Sequence, residues 1–337
     1  MKQPTIYDVA KEAGVAISTV SKVLNNTGSI GAKTRKKVEE TMQKLNYQPS
    51  VAASVKKRIQ TIGLLIPDIS DPFMAQIART IEDHGRKFGF SLIVCSTDND
   101  LDKEIEYVSI LKKKYIDGII IATGLKNTTA LKKLLNNEIP VALLAREVPS
   151  LAVNTVVVDD FLGAFEATSY LIKLGHQKIA MVTEDIYFPV TKLRLDGYKQ
   201  ALAQADLTYN GDFVAINNTS FTDALDSTVK LLNLPEPPTA IFASTEPLAI
   251  GVMQGARESG FDIPKDISIV GFDNSILAKM CYPPLTTVSQ PIHEMGKKII
   301  ELLVEEIKNP KQVKQRIVMS PELIIRGTAS ENLTSKT

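Results

Sequence analysis

From residue 61 onward, short runs of β-branched and other apolar residues alternate with longer amphipathic stretches. Most stretches between the runs have the length and apolar spacing of helices, as in 72–88, 190–205 and 221–233. Near-continuous apolar strands that alternate with helices are typical of parallel sheets covered on both faces. Nine runs exceed what one sheet of this size holds comfortably, so the pattern predicts an α/β body with two sub-domains. The runs are 61–67, 90–97, 117–123, 140–145, 154–160, 178–183, 212–217, 239–245 and 267–273.

The sub-domains are predicted to divide near Asp160. A last helix, 292–308, and two strands around 315–326 follow the nine runs. The predicted organisation is a head, 1–48; a linker, 49–60; a body, 61–330, with an N-terminal sub-domain of about 61–160 plus 292–320 and a C-terminal sub-domain of about 161–291 plus 321–330; and a polar tail, 331–337.

The head carries a different pattern, with three short amphipathic stretches. Thr5 and Asp8 form a helix-start signature, in which the hydroxyl caps backbone N–H groups and the carboxylate reaches back. Gly14 supplies a tight turn before a second helix with a polar outer face, which predicts a helix-turn-helix for the major groove of DNA. A plain three-helix bundle explains the apolar pattern equally well. The predicted inner faces are Ile6, Val9, Ala10 and Ala13, then Val20, Val23 and Leu24, then Val38, Met42 and Leu45.

Charge is unevenly distributed, although the net charge of the 337 residues is only +1. Residues 1–60 hold eleven Lys and Arg against four Asp and Glu, whereas the remainder is mildly acidic. A basic head favours a polyanionic partner such as DNA; the alternative is a solvated, lysine-rich helix face. The linker is basic and helix-capable after Pro49, but too polar for a core of its own, so we expect it to order only against a partner.

Several classes of protein are disfavoured. No apolar run approaches the roughly 18 residues of a membrane span, and no signal peptide is recognisable. Cys95 and Cys281 are far apart, as expected of reduced thiols in the cytoplasm. We find no P-loop, no GxGxxG and no nucleophile motif, and the three histidines lack metal-ligand spacing. The sequence therefore predicts no metal, no cofactor and no enzymatic activity.

The stretches TIYDVAKEAGVAISTVSKVLNN and AKTRKKVEETMQKLNYQPS closely resemble the head of the lactose/galactose repressor (LacI/GalR) family of bacterial transcription regulators. The resemblance continues through DPFMAQIARTIED, YIDGIIIAT, LIKLGHQKIAMV, RLDGYKQAL, IPKDISIVGFDN and LTTVSQP, and covers essentially the whole chain. It implies a body similar to periplasmic sugar-binding proteins, with two Rossmann-like sub-domains around a cleft.

The resemblance also implies which residues contact DNA. Ile17, Ser18 and Lys22 occupy the base-reading positions, and Lys22, where many relatives carry Arg, is the expected guanine contact. Lys lacks the planar fork of Arg, so discrimination at that base should be weaker. Phosphate contacts position the head without reading sequence. Their candidates are Thr5, Thr19, Ser21 and Thr34, with Asn25, Ser29 and Lys33 nearby.

Three departures from the family pattern stand out. Ala16 and Gly31 occupy positions where relatives usually have a capping Ser. A lost N-cap costs about 1 kcal/mol, less with Gly, so the head is expected to be floppier off DNA. The linker is also slightly short. The family inserts a linker Leu into the minor groove as a wedge; Lys56 has that offset here, so Val55 is the wedge candidate, with a merely exposed Val as the alternative.

Ligands of doubly wound sheets bind beyond the carboxyl ends of the strands. Arg, Asp and carboxamide groups at those ends bind hydroxyls, and an aromatic face covers a sugar ring. Each residue alone fits a surface charge or a loop cap equally well. Ala145 replaces an Asp that sugar binders often carry, which disfavours a simple pentose and leaves larger, phosphorylated or less polar effectors open. The predicted effector contacts are Phe73, Asp98, Arg146, Asp159, Arg194, Phe221, Thr245, Asp273 and Gln290.

The combined interpretation is a cytoplasmic transcription regulator, a repressor that binds a palindromic double-stranded DNA operator as a homodimer. A small sugar-like effector in the cleft would change how the sub-domains close, shift the paired linkers, and so couple reciprocally to DNA binding. Two other classes stay open: a catabolite-control-type regulator governed by a protein co-regulator, and a solute-binding protein without a transport role.

Overall fold

The computed structural model of the protein describes residues 4–24, 28–47, 60–124, 131–132, 139–217 and 221–332. The chain forms two compact units, the head Met1–Gln60 and the body Thr61–Thr337. Within the described ranges, no helix is both long enough and apolar enough to cross a membrane.

The described residues of the head form three helices, α1 Ile6–Ala13, α2 Ile17–Leu24 and α3 Ala32–Lys44. Helix α1 ends at Gly14, whose φ of 62° lies in the left-handed region that glycine adopts at low cost. The apolar faces of the three helices meet in one small core, so the predicted helix-turn-helix is confirmed. This core contains Val9, Ala10, Ala13, Val20, Val23, Val38 and Tyr47.

The caps of the head helices follow from their residues. The Asp8 carboxylate reaches back to Thr5, as predicted, and accepts hydrogen bonds from its backbone N–H at 2.7 Å and its hydroxyl at 2.6 Å. Gly31 at the start of α3 offers no side-chain cap. Ala16 likewise contributes only its carbonyl oxygen, which accepts from the N–H groups of Thr19 and Val20.

One six-stranded sheet forms the N-terminal half of the body, in the order β11-β5-β4-β3-β1-β2. Its four pairs from β1 to β11 are parallel. Apolar residues cover both faces of the sheet in two separate clusters. The strands are β1 Gln60–Ile66, β2 Phe90–Ser96, β3 Gly118–Ile121, β4 Val141–Leu144, β5 Asn154–Val158 and β11 Arg316–Met319, and the helices that accompany them are α4 Pro72–Lys87, α5 Leu101–Lys113 and α11 Ile292–Lys308.

A second six-stranded sheet forms the C-terminal half, in the order β12-β10-β9-β8-β6-β7. Its pairs are parallel except for the edge pair β10 and β12, which is antiparallel. Two further apolar clusters cover its faces. The strands are β6 Ile179–Glu184, β7 Val214–Asn217, β8 Ala240–Ala243, β9 Ser268–Asp273, β10 Thr286–Ser289 and β12 Glu322–Ile324, and the helices are α6 Asp160–Lys173, α7 Pro189–Gln204, α8 Phe221–Leu232, α9 Glu246–Glu258 and α10 Ile276–Met280.

The chain passes between the two sheets three times: after β5, after β10, and between β11 and β12. Each of the nine predicted apolar runs forms a strand, so the predicted fold class, with two parallel-sheet halves, is confirmed. Strand β10 and the five-residue helix α10 were not predicted. Residues 286–289 are polar at three of four positions, yet the first three are buried because the strand pairs between β9 and β12.

Candidate DNA-binding head and effector cleft

Helix α2 presents the three predicted base-reading residues to solvent. Ile17 is 42% exposed, and Ser18 and Lys22 are exposed as well. The opposite face of the helix is held in the head core by Val20 and Val23. The packing of α2 therefore fixes which side chains are free to contact a partner.

The remaining predicted DNA contacts lie on the head with varied exposure. Thr5, Ser29 and Lys33 are exposed, whereas Thr19, Ser21 and Thr34 are half-buried. Asn25 and Val55 lie outside the described residues. A half-buried hydroxyl is still able to reach a phosphate oxygen, so Thr19, Ser21 and Thr34 remain predicted phosphate contacts.

The body contains a cavity of about 550 Å³ between its two sheets. It lies beyond the carboxyl ends of several strands, since residues that follow β1, β4, β5, β8, β9 and β10 all line it. Seven of the nine predicted effector contacts meet there: Phe73, Arg146, Arg194, Phe221, Thr245, Asp273 and Gln290.

Arg194, on α7, is the centre of a buried charge network. It is only 6% exposed, and its Nε donates to the Asp160 carboxylate at 2.8 Å. A second nitrogen donates to the backbone carbonyl of Ser244 and lies 3.9 Å from Asp273. The guanidinium also stacks 3.7 Å from the ring centroid of Phe272. Burial alone would disfavour the charge, but the two carboxylates outweigh it and raise the pKa of Arg194.

Asp273 connects this network to the last strands of the sheet. Its carboxylate accepts from Gln290 Nε2 at 2.7 Å and from the backbone N–H of Glu246 at 3.2 Å. Its φ of 101° lies in a region that non-glycine residues rarely adopt. Such strain persists only where surrounding contacts impose it, and it is common at functional sites.

A contact across the cleft joins the two halves of the body. Phe188 precedes α7 in the C-terminal half, and its ring lies 4.9 Å from the guanidinium carbon of Arg146, which follows β4. The same ring leaves no room for a side chain at Gly124, after β3, because a Cβ there would lie 2.3 Å from Phe188 Cε1. We name Phe188, Arg146 and Gly124 the cleft latch.

Two of the predicted effector contacts, Asp98 and Asp159, lie outside the lining of the cavity, and each has a local bonding partner instead. Asp98 is exposed in the loop before α5, has a φ of 55°, and pairs with Lys103 at 2.5 Å. Asp159 turns its carboxylate to the backbone N–H of Leu162, at 2.9 Å, and so caps α6. The neighbouring Asp160 occupies the cleft instead. In each case a carboxylate near the start of a helix bonds a neighbouring group of the chain and is not directed into the cavity.

Sequence reasoning missed three carboxylates of the lining: Asp71, Asp160 and Glu184. Asp71 begins α4 and accepts from the backbone N–H of Phe73 at 2.9 Å. Burial, and then the carboxylate of Asp273, raise the pKa of Asp71 to about 7. The DPF sequence at 71–73, a capping residue followed by Pro at the first helical position, was the available signal for this helix start.

No group of three or more His, Cys, Asp or Glu side chains in the described ranges is placed to hold a metal ion. The cleft is lined by polar side chains such as Ser70, whose hydroxyl donates to the Asp68 carboxylate at 2.7 Å. What it offers is a set of hydrogen-bonding and aromatic groups that converge from two sheets, which is the chemistry of a binding site.

A helix-turn-helix head combined with a two-sheet body around a polar cleft defines the class of transcription regulators that carry a ligand-binding body. Comparison with known proteins agrees. The model of the lacI family of bacterial regulatory proteins matches residues 5–50, and that of the periplasmic binding protein-like domain matches residues 168–329. The chain belongs to the lacI family.

Relatives match along nearly the whole chain. The HTH-type transcriptional regulator DegA of Bacillus subtilis is 43% identical over 331 residues, which cover 97% of this chain and 98% of DegA. The lac repressor dimer bound to operator and an anti-inducer has a TM-score of 0.81 and 27% identity, over 98% of this chain and 100% of its own. A LacI family regulator from Enterococcus faecium with bound ribose has a TM-score of 0.74 and 32% identity, over 81% of this chain and 100% of its own.

Proposed function

We propose that this protein is a transcriptional repressor that binds a palindromic operator as a homodimer and is controlled by a small, sugar-like effector in the cleft. The observation that carries the proposal is the pairing, in one chain, of a recognition helix that exposes Ile17, Ser18 and Lys22 with a cleft built from both sheets of the body. We place its action in the cytoplasm, where DNA is accessible, and propose that the cleft binds its ligand without transforming it.

In the proposed complex, α2 lies in the major groove with Lys22 directed at a guanine and Ser18 beside it. An exposed lysine donates to guanine O6 and N7, although without the bidentate fork of Arg. Lys33 neutralises a phosphate charge, and the head hydroxyls donate hydrogen bonds to phosphate oxygens. The charge contribution to DNA affinity falls as the salt concentration rises.

Exposed apolar side chains in the described part of the chain support the homodimer. Strand β2 is an edge strand, and Ile93 and Val94 on it are each 38% exposed. In the C-terminal half, Met280 and Tyr282 are 71% and 86% exposed. Exposed edge strands and apolar patches are costly in a monomer and are typical of subunit interfaces.

The proposed regulation follows from how the cleft is built. A ligand that contacts both the Arg146 side and the Asp273 side stabilises one closure of the two sheets over others. Because the linkers that precede β1 connect each body to its head, a change of closure alters the spacing of the paired heads. Effector and operator binding are then reciprocally coupled.

The DNA proposal is tested by measuring the affinity of the full chain for operator and for unrelated DNA. We expect Lys22→Ala to weaken operator binding by about 1–3 kcal/mol and to reduce the preference for operator. The matched control is Lys36→Ala, another exposed head lysine, on α3, which should change both affinities alike. An unchanged operator preference in Lys22→Ala contradicts the assignment of α2.

The effector proposal is tested by thermal unfolding against sugars, polyols, sugar derivatives and nucleosides. A ligand at 100 times its dissociation constant stabilises the folded state by about 2.7 kcal/mol. A responding ligand must also change operator affinity. Stabilisation by a partner protein, with no response to any small molecule, would replace this proposal with control by a protein co-regulator.

A further inference from the structure

The described lining of the cleft has an excess of negative charge. Five carboxylates line it against two guanidinium groups. Asp68 is exposed and accepts from Ser70, whereas the other four carboxylates are buried or half-buried. Buried charge is costly unless an opposite charge pairs with it. The carboxylates are Asp68, Asp71, Asp160, Glu184 and Asp273, and the guanidinium groups are Arg146 and Arg194.

The positive charge of Arg194 does not balance the remaining carboxylates of the lining, because the guanidinium group already interacts with Asp160 and Asp273. Its nitrogens bond Asp160 and the Ser244 carbonyl and lie beside Asp273, so one positive charge already serves two negative ones. Arg146 alone faces the remaining acidic groups, and its guanidinium stacks on Phe188. The described lining therefore has more carboxyl groups than guanidinium groups to pair with them.

Gln290 independently shows which hydrogen-bonding partner is missing. It is 5% exposed and lines the cleft, and its Nε2 donates to Asp273 at 2.7 Å while its Oε1 has no partner. The amide cannot turn round, since that would place its oxygen against a carboxylate. Thr245, 9% exposed, also has an unpartnered hydroxyl in the lining. A ligand that satisfies Gln290 must donate a hydrogen bond.

The protonation of Asp71 agrees with this charge balance. Burial raises its pKa to about 7, with further contributions from the carboxylates of Asp273, Glu184 and Glu246. Burial alone disfavours the charged form of a carboxyl group, and the nearby carboxylates add to that effect. A cation beside Asp71 would oppose both effects, because an opposite charge favours the charged carboxylate.

We propose that the effector carries a positively charged amino group next to hydroxyl groups, and that phosphorylated ligands are excluded from the cleft. The inference rests on the proposed effector control. An ammonium group donates three hydrogen bonds and supplies the missing positive charge to Asp71, Asp273 and the Gln290 oxygen. The unpartnered Nη1 of Arg146 offers the complementary donor for a ligand oxygen. Amino sugars and amino polyols have this combination.

The test compares three forms of the same scaffold with the full chain by calorimetry. Glucose, glucosamine and glucose 6-phosphate make one such set, and equivalent sets are made from a pentose and a nucleoside. We expect the amine of the recognised scaffold to bind at least about tenfold more tightly than its neutral parent, as a charged hydrogen bond contributes, and no phosphate to bind. A phosphate or neutral form that binds as tightly as the amine overturns the inference.

Asp71→Asn isolates the role of charge, because Asn also caps helices well. It should lower the affinity for the amine by about tenfold and leave the neutral parent unchanged. The control is Asp196→Asn, on α7 and exposed, which should change neither affinity. An equal loss for amine and parent in Asp71→Asn would mean that the residue shapes the cleft without reading charge, and would refute the inference.

The outcomes separate this inference from the proposed function. If the amine binds but operator affinity does not change, the charge chemistry of the cleft is supported and effector control fails. If an uncharged or phosphorylated ligand both binds and changes operator affinity, effector control is supported and the charge inference fails. If no form of any scaffold binds, control by a small effector fails, and the inference fails with it.

Discussion

Replacing Arg194 with Met tests the buried charge network most directly. Methionine keeps an unbranched apolar chain of similar reach, so the packing against Phe272 is largely kept while the positive charge and its donors are lost. The Asp160 and Asp273 carboxylates, 2% and 5% exposed, then lose their shared cation. The backbone carbonyl of Ser244 also loses its donor.

The expected cost is large because one partner of a buried pair is removed and the other stays. Such changes destabilise proteins by about 3–5 kcal/mol, which lowers the melting temperature of a body this size by on the order of 10 °C. The loss of unfolding free energy in Arg194→Met, relative to wild type, should grow from pH 5 to pH 8. Burial already raises the pKa of Asp160 and of Asp273, so without Arg194 the folded state binds more protons than the unfolded state, and stability falls as pH rises.

Thermal and urea unfolding of wild type, Arg194→Met and Arg79→Met provide the measurement. Arg79 makes an exposed ion pair with Asp83, at 3.0 Å on α4, and the same substitution there should cost less than about 1 kcal/mol. Equal effects of the two substitutions, or a deficit in Arg194→Met that is independent of pH, would refute the assignment of a buried charge network. Loss of effector response in Arg194→Met is then interpreted only at temperatures where the variant is folded.

Three further variants test the packing and the electrostatics of the body. Gly197→Ala should destabilise the body by about 1–3 kcal/mol through overpacking, because the new Cβ would lie 2.3 Å from a backbone carbonyl oxygen of α6. The control is Gly211→Ala, where a Cβ meets open space, and it should change the free energy of unfolding little in the same assay. Asp71→Asn should stabilise the body, and this gain should grow from pH 5 to pH 8 since the pKa of Asp71 is raised to about 7; a gain that shrinks with pH contradicts this. Gly124→Ala should displace Phe188 and open the cleft latch, which should increase the radius of gyration measured by X-ray scattering. If both the radius and the free energy of unfolding stay unchanged, the latch does not hold the two halves of the body together.

The strands of this fold were predictable because parallel strands buried on both faces are continuously apolar. Residues 118–121 and 141–144 are examples, with every position buried. Strand β10 carries no such signal, because its threonines are buried by their position between β9 and β12 and not by their own hydrophobicity. Tertiary context decides such segments.

The sequence allowed us to predict which strand ends surround the candidate site, but not which of two adjacent side chains at a strand end enters it. The rule that ligands bind beyond carboxyl ends selected Arg146, Asp273 and Gln290, and all three line the cavity. It could not choose between Asp159 and Asp160, since adjacent residues at a helix start point in different directions and the choice depends on which one caps the helix. The long-range partner of Asp160, 34 residues away on α7, leaves no local pattern in the sequence.

The three passages of the chain between the sheets have a consequence for synthesis. The edge strand β11 completes the first sheet only when residues 316–319 are available, and Asn154, fully buried, bonds both Gln315 and Glu306. The head, in contrast, is closed within its first 60 residues. At about 5–20 residues per second, a nascent chain carries a complete head for tens of seconds before its body is able to close, so the DNA-reading part of the molecule is finished well before the part that we propose to control it.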